Sequence, residues 1–161
     1  MRSRDRSGYT VIELILVIVI IAVMSLVLSS FIISAMNSWV FVRSRQSALS
    51  QGRSTAERIV REIRRIQKPS GILTANGSEL EFVDVDSNSI NFRQDGQNLM
   101  RNADQFTSGI LTPEGLAFGY YDAALNPTAV NQNIRFIRVR LTLVRGNETV
   151  IIEDGARIRN L

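Results

Sequence analysis

The pattern of apolar and polar residues changes twice along the chain. From Leu14 to Val42 the sequence runs for 29 positions without a charged residue. Between Leu49 and Ile66 the apolar residues recur in steps of three and four, and beyond residue 69 the period shortens to two. Apolar residues three or four apart share one face of a helix, whereas alternate residues share one face of a strand. The pattern therefore predicts a long helix followed by strands, an α+β fold.

The uncharged run is long enough to cross a membrane. A bilayer core about 30 Å thick needs about 20 helical residues, because a helix rises about 1.5 Å per residue. The run exceeds that length, so we expect residues 9–42 to form a transmembrane helix. Basic residues flank both ends of the run, and their distribution alone does not set its orientation.

Residues 43–68 are predicted to continue the helix as an amphipathic segment. The helix as a whole is expected to run from about residue 10 to 67, where Pro69 stops it. Its apolar stripe consists of Leu49, Gly52, Ala56, Ile59, Ile63 and Ile66. Its other faces carry Arg53, Arg58, Arg61, Arg64 and Arg65.

The arginine cluster has three interpretations. It attracts anionic lipid head groups, it pairs with the acidic head of a neighbouring subunit, or it is a solvated helix face. Nucleic-acid binding is not expected, because no aromatic residue lies between Phe41 and Phe82 to stack on bases.

Residues 69–161 are predicted to form an antiparallel β head on a single sheet covered by the helix stripe. Alternation predicts strands over residues 80–85, 90–93, 98–101, 115–122, 134–144 and 149–152. Asp95-Gly96 and Gly146-Asn147 are typical of hairpin turns. The alternation loses phase at Phe136-Ile137, which predicts a β-bulge.

The composition excludes several kinds of chemistry. The chain has no cysteine and no histidine, so disulfides, thiolate nucleophiles and histidine bases are absent. Asp84, Asp86 and Asn88 alternate like the start of a calcium loop, but Ser89 stands where that loop needs glycine. They are better explained as a hairpin turn with polar caps. We therefore expect no enzymatic activity, no cofactor and no metal site.

The order of residues at the N-terminus is specific. Three arginines and one aspartate precede Gly8, which is followed by Tyr9, Thr10, Glu13 and Leu14 before the apolar run. This arrangement resembles the N-terminal signature of type IV prepilins and of type II secretion pseudopilins. The resemblance implies that residues 1–8 are a leader peptide, which a prepilin peptidase removes by cleaving the Gly8–Tyr9 bond. The same enzyme would then N-methylate Tyr9, where the family usually has Phe.

The resemblance also implies a role for Glu13 in assembly. In filaments of this family the apolar helices bundle together, and Glu13 would face the α-amino group of Tyr9 on a neighbouring subunit. The expected partners are the prepilin peptidase, other pilins or pseudopilins, an inner-membrane assembly platform and membrane lipid. The expected location is the bacterial inner membrane, with residues 69–161 in the periplasm and incorporation at the tip of a pilus or pseudopilus.

Several features favour a minor subunit that primes or caps the filament. The apolar run contains no proline, unlike that of many major pilins. Short segments of the head, namely residues 90–93, 98–101, 116–118 and 120–122 and the closing Arg159-Asn160, are similar to segments in the heads of minor pilins and of J-type pseudopilins. The chain as a whole resembles a minor pilin of the J-type or W-type. Two alternatives stay open. One is a single-pass anchored periplasmic binding or sensor domain that does not polymerise, and the other is a secreted protein whose apolar segment is removed.

Overall fold

The computed structural model describes residues 10–146 and 148–159. The chain divides into two compact units, residues 1–42 and 43–161. One α-helix, two short 3₁₀ helices and eight strands make up the regular structure of the described residues, which confirms the α+β prediction.

The first unit is helical from Val11 onward. Helix α1 runs Val11–Ile63, and up to Val42 its large apolar side chains are 46–75% exposed. Serine hydroxyls in this segment are satisfied within the helix: Ser25 donates to the carbonyl of Ile21 at 2.8 Å, and Ser29 to that of Ser25 at 2.8 Å. By length and composition the helix is able to cross a membrane as a single span.

In the second unit α1 buries one face against both sheets. The buried residues are Ala48, Gly52, Thr55, Ala56, Ile59, Val60 and Ile63. The expected stripe is largely confirmed, but Ala48 replaces Leu49 as a fully buried residue, and Leu49 is half-buried. The buried face is wider than a single stripe because two separate sheets contact the helix.

Helix α1 ends four residues before the predicted position. The amide of Arg65 donates to the carbonyl of Glu62 at 2.9 Å, and the amide of Ile66 to that of Ile63 at 3.1 Å. These short-range bonds tighten the last turn. Ile66 then pairs with Asp84 in an isolated antiparallel bridge. The backbone is therefore already extended three residues before Pro69. Pro69 instead begins a 3₁₀ turn, Pro69–Gly71.

The first sheet has five antiparallel strands in sequence order. They are β1 (Ile72–Ala75), β2 (Glu79–Val83), β3 (Ser89–Asp95), β4 (Asn98–Arg101) and β5 (Asp104–Ser108). The central three-stranded meander is confirmed, and Gly96 (φ +57°) occupies the expected hairpin turn between β3 and β4. The two outer strands, β1 and β5, were not predicted.

The second sheet has three antiparallel strands, in the order β6-β7-β8. They are β6 (Leu116–Tyr121), β7 (Phe136–Arg145) and β8 (Glu148–Arg157). The prediction of one sheet is therefore wrong. The predicted bulge at Phe136-Ile137 is also wrong, because β7 pairs with both neighbours without a register shift. The phase changes there because Ile134 closes a 3₁₀ turn and the strand starts only at Phe136.

The core of the second unit lies between α1 and the two sheets. Its fully buried members include Ile59 and Ile63 from α1, Phe82 and Phe92 from the first sheet, and Leu141 from the second. Tyr120 on β6 links the sheets, since its hydroxyl lies 2.8 Å from the carbonyl of Asn76 and 3.0 Å from that of Glu79. Burial, and secondly the Glu79 carboxylate, raise the pKa of Tyr120 well above its ordinary value of 10.0.

Candidate functional site

The predicted site residues lie at the start of the chain. Gly8 and Tyr9, which carry the predicted cleavage and methylation, lie outside the described residues. Glu13 lies in the first turn of α1 and is exposed. The geometry of the described residues therefore bears on Glu13 and on the helix that follows it.

Glu13 and Thr10 cap the N-terminus of α1 for each other. The amide of Thr10 lies 3.5 Å from Oε2 of Glu13, and the amide of Glu13 donates to Oγ1 of Thr10 at 3.3 Å. This reciprocal arrangement is a capping box, in which two side chains satisfy amides that lack a partner within the helix. A cap of this kind contributes about 1 kcal/mol to helix stability.

The capping role of Glu13 was missed at the level of sequence, although its signal is present. Thr-x-x-Glu immediately before an apolar run is the sequence signature of a capping box. The Glu13 carboxylate also lies at the positive end of the helix dipole, which favours an anion by about 0.3–1 kcal/mol. Within the described residues, Oε1 of Glu13 makes no hydrogen bond. One oxygen of the carboxylate is thus engaged locally, and the other is available to a further cation.

A continuous apolar surface follows directly after this cap. None of the most apolar part of α1 is buried within the described chain. Single exposed apolar side chains are ordinary, but an apolar surface of this extent marks contact with lipid or with another protein. The site therefore combines one carboxylate at a helix N-terminus with a long apolar surface behind it.

The turn between β2 and β3 is built around Asp84, which is only 3% exposed. Its Oδ1 accepts from the amides of Asp86 at 2.9 Å and Asn88 at 2.8 Å, and its Oδ2 accepts from Arg65 at 3.3 Å. Burial alone would raise the pKa of Asp84, but the hydrogen bonds from Asn88 and Asp86, together with Arg65, hold it below its ordinary value of 3.8. The carboxylate oxygens of Asp84 thus stabilise the β2–β3 turn and bind Arg65, which lies just after the end of α1.

Asp84, Asp86 and Asn88, whose spacing is like the start of a calcium loop, form the β2–β3 turn in the structure. Arg65 pairs with Asp86 as well as with Asp84, so a guanidinium stands between the two carboxylates. Within residues 10–146 and 148–159 no group of three or more acidic side chains comes together at a distance suited to a metal ion.

Comparison with known families bears on the N-terminal region. Residues 3–29 match the family described as the prokaryotic N-terminal methylation motif. No curated protein and no solved structure matches the chain. The matched segment contains Gly8, Tyr9 and Glu13 and most of the apolar run. The motif indicates a type IV pilin-like protein, for which processing by a prepilin peptidase and association with other pilins are implied.

Proposed function

Because the chain is prepilin-like at its N-terminus, we propose that it is a minor pilin or pseudopilin. In this role it is a structural subunit that primes or caps a type IV pilus or a type II secretion pseudopilus. The observation that carries the proposal is the N-terminal methylation motif at residues 3–29. The helix in this region exposes its large apolar side chains, and no other part of the described chain covers them.

Processing at Gly8–Tyr9 changes the charge at the start of the chain. The leader, residues 1–8, carries three arginines and one aspartate. Its removal eliminates that net positive charge and creates an α-ammonium group on Tyr9. N-methylation keeps this positive charge. The mature chain would then begin one residue before the Thr10 cap, with a cation beside the start of the apolar helix.

We propose that Glu13 pairs with the α-ammonium of Tyr9 on a neighbouring subunit. Glu13 is exposed and keeps Oε1 available, so the capping box and the proposed pair are compatible in one subunit. In an apolar bundle a carboxylate left without a cation would be strongly destabilising, and a correctly placed cation removes this penalty. A mismatched axial position would leave both charges unpaired.

This pair matters because the apolar surface alone does not select a position. Moving an apolar helix from lipid into a helix bundle exchanges one apolar environment for another, so hydrophobic burial contributes little to the association. Packing and polar contacts then decide where a subunit stops along the bundle. Glu13 is the one charged side chain between Arg6 and Arg43 at neutral pH, and it is the natural determinant of that position.

Variants of Glu13 and Gly8 test the proposal in the native host. We expect Glu13→Ala to insert and to be cleaved but to enter filaments much less than the wild type, because the pair is lost. The Glu114→Ala variant is the control, since it removes a carboxylate that is also exposed but lies in the head. The measurement is the amount of the chain in sheared filaments relative to membranes. Equal incorporation of Glu13→Ala and wild type would contradict the pairing.

The second variant addresses processing. We expect Gly8→Ala to accumulate as an uncleaved precursor in the membrane, detected by its larger mass. Normal cleavage of this variant would contradict recognition by a prepilin peptidase. A protein that is retained in the membrane with Met1 intact and is indifferent to Glu13 would instead be the anchored binding or sensor domain.

A further inference from the structure

The basic residues around the end of α1 fall into two groups. Each side chain of the first group makes a cation–π contact or an ion pair with another residue of the second unit. Arg58 lies over the ring of Phe106 with 4.4 Å between Cζ and the ring centroid, and Arg65 pairs with Asp84 and Asp86. On β4, Arg101 contacts both carboxylate oxygens of Glu62, at 3.0 and 2.9 Å.

The second group has no such contacts. Arg53, Arg61 and Arg64 are exposed and form no ion pair with any described residue. Together with Glu57 they are spaced by four, four and three residues, which places them along one side of α1 and of the turn that continues it at Arg64, whose amide still donates to the carbonyl of Val60 at 3.1 Å. We call Arg53, Glu57, Arg61 and Arg64 the basic ridge. Although Glu57 and Arg61 are suitably spaced, no ion pair joins them, and the ridge keeps three positive charges and one negative charge.

Two clefts flank the basic ridge. One, of about 430 Å³, is lined by Arg58, Arg61, Glu62 and Arg65. The other, of about 290 Å³, is lined by Glu57, Val60, Arg61, Arg64 and Asp154. Arg61 borders both. In the larger cleft Glu62 is engaged by Arg101, while Phe106 and the Asp84 turn hold Arg58 and Arg65 in place.

We propose that the basic ridge binds an acidic surface of another pilin-like subunit, whose carboxylate side chains enter the two clefts. The inference rests on the proposed function, since it names the contact that a filament subunit makes outside the apolar bundle. Charge complementarity supports it, because Arg61 and Arg64 have no ion pair within the described chain to give up. The neighbouring Arg58 and Arg65 in the larger cleft are already held in place, so they lose little freedom when a carboxylate binds. Heads of this kind can be acidic, because residues 69–161 carry eleven acidic and eight basic side chains.

The arrangement favours a protein over a polyanion. Glu57 lies within the basic ridge and Asp154 borders the smaller cleft, and both would repel a uniform surface of phosphates. An acidic protein surface can place separate carboxylates beside Arg61 and Arg64 and leave basic or neutral side chains opposite Glu57 and Asp154. Nucleic acid is disfavoured further, since the ridge has no aromatic side chain on which bases would stack.

Site-specific photocrosslinking in cells that make the full chain tests this inference. A photoreactive amino acid replaces Ser50, which is exposed one turn before Arg53 and carries no charge. We expect an adduct with a protein that itself carries an N-terminal methylation motif, identified by mass spectrometry. The double variant Arg61→Glu and Arg64→Glu should lower the adduct yield about tenfold, because like charges then face each other.

Arg157 supplies the matched control, as an exposed arginine on β8 without an ion pair among the described residues. We expect Arg157→Glu to change the Ser50 adduct less than about twofold. Adducts with lipid or nucleic acid alone, or a yield that the double variant leaves unchanged, would overturn the proposal. If the chain is cleaved and enters filaments yet gives no such adduct, only the role of the ridge fails. If the leader is not cleaved, the proposed function itself fails.

Discussion

The two halves of α1 differ in whether their aliphatic side chains are buried within the chain. Up to Val42, large apolar side chains are 46–75% exposed, whereas Ile59 and Ile63 in the second unit are fully buried. Both halves are helical. They differ in composition and in spacing: the first half is apolar on every face, whereas the second has fewer aliphatic residues, which share one face opposite a charged one.

This difference shows where each half finds its partner. The second half buries its apolar face on sheets of the same chain, and each such side chain contributes about 1.5–3 kcal/mol to folding. The first half has no cover within the described chain, so its free energy depends on lipid or on helices of other subunits. A change in one half should therefore affect folding of the head, and a change in the other should affect insertion and assembly.

The sharpest test places the same residue in each half. We expect Ile59→Asp to unfold the head, because a buried carboxylate without a partner costs about 4 kcal/mol or more. Val23→Asp should leave the head folded but weaken membrane insertion by about 3 kcal/mol. Pulse proteolysis of the full chain in detergent measures the first effect, and membrane fractionation measures the second. An unfolded head in Val23→Asp would show that the two halves are not independent.

A smaller effect is expected at Gly52, where α1 packs closely on the second sheet. A Cβ at Gly52 would overlap the side-chain ends of Ile152 and Leu143. We expect Gly52→Leu to destabilise the head by about 2–3 kcal/mol through overpacking. Gly52→Ala should be nearly neutral, since a gain of about 1 kcal/mol in helix propensity offsets the displacement of those flexible ends.

Ser54→Leu is the control for Gly52→Leu, because Ser54 is exposed on the same helix. Urea denaturation of the full chain in detergent, followed by pulse proteolysis, gives the three free energies of unfolding. Similar losses in Gly52→Leu and Ser54→Leu would contradict close packing at position 52.

The Asp84 turn should give the second unit a dependence on pH. The pKa of Asp84 is lowered in the folded state, so its stabilisation is present above the ordinary value of 3.8 and is lost as pH falls below it. Asp84→Asn removes this charge and its pairing with Arg65, and we expect a loss of about 1–2 kcal/mol at pH 7. The difference between wild type and variant should shrink toward pH 3. A difference that is constant with pH would contradict the assignment.

The smallest effect concerns the link between the sheets. Tyr120→Phe removes the hydroxyl that bonds to the carbonyls of Asn76 and Glu79, and we expect a loss of about 1 kcal/mol. Because this link lies within the head, membrane insertion and leader cleavage should not change. A loss of membrane insertion in Tyr120→Phe would contradict the view that the two units behave independently.

Sequence alone was most informative where periodicity is long and uninterrupted. The α1 helix, the central meander and the β7–β8 hairpin follow from runs of apolar residues and from turn glycines such as Gly96 and Gly146. Strand β1 was missed because it is only four residues long, too short for a clear alternation, and β5 was missed because Phe106 is the one apolar residue among its five. Their place depends on pairing with β2 and β4, which local sequence does not encode.

The division into two sheets was missed for a similar reason. The first sheet ends at β5, and β6 begins a second antiparallel sheet. Alternation within a strand shows which of its faces is apolar, but it does not show which other strand pairs with it. At the N-terminus, the resemblance drew attention to Glu13 as an assembly residue, while the local cap it forms with Thr10 was overlooked. The early end of α1 reflects pairing of Ile66 with Asp84, a contact distant in sequence.

The N-terminus of the mature protein tests the central proposal most directly. Mass spectrometry of the protein purified from its native host identifies both the first residue and its modification. We expect a chain that begins at N-methylated Tyr9, with Met1–Gly8 removed. A chain that keeps Met1, or one that begins beyond the apolar run, would contradict the assignment as a processed pilin or pseudopilin.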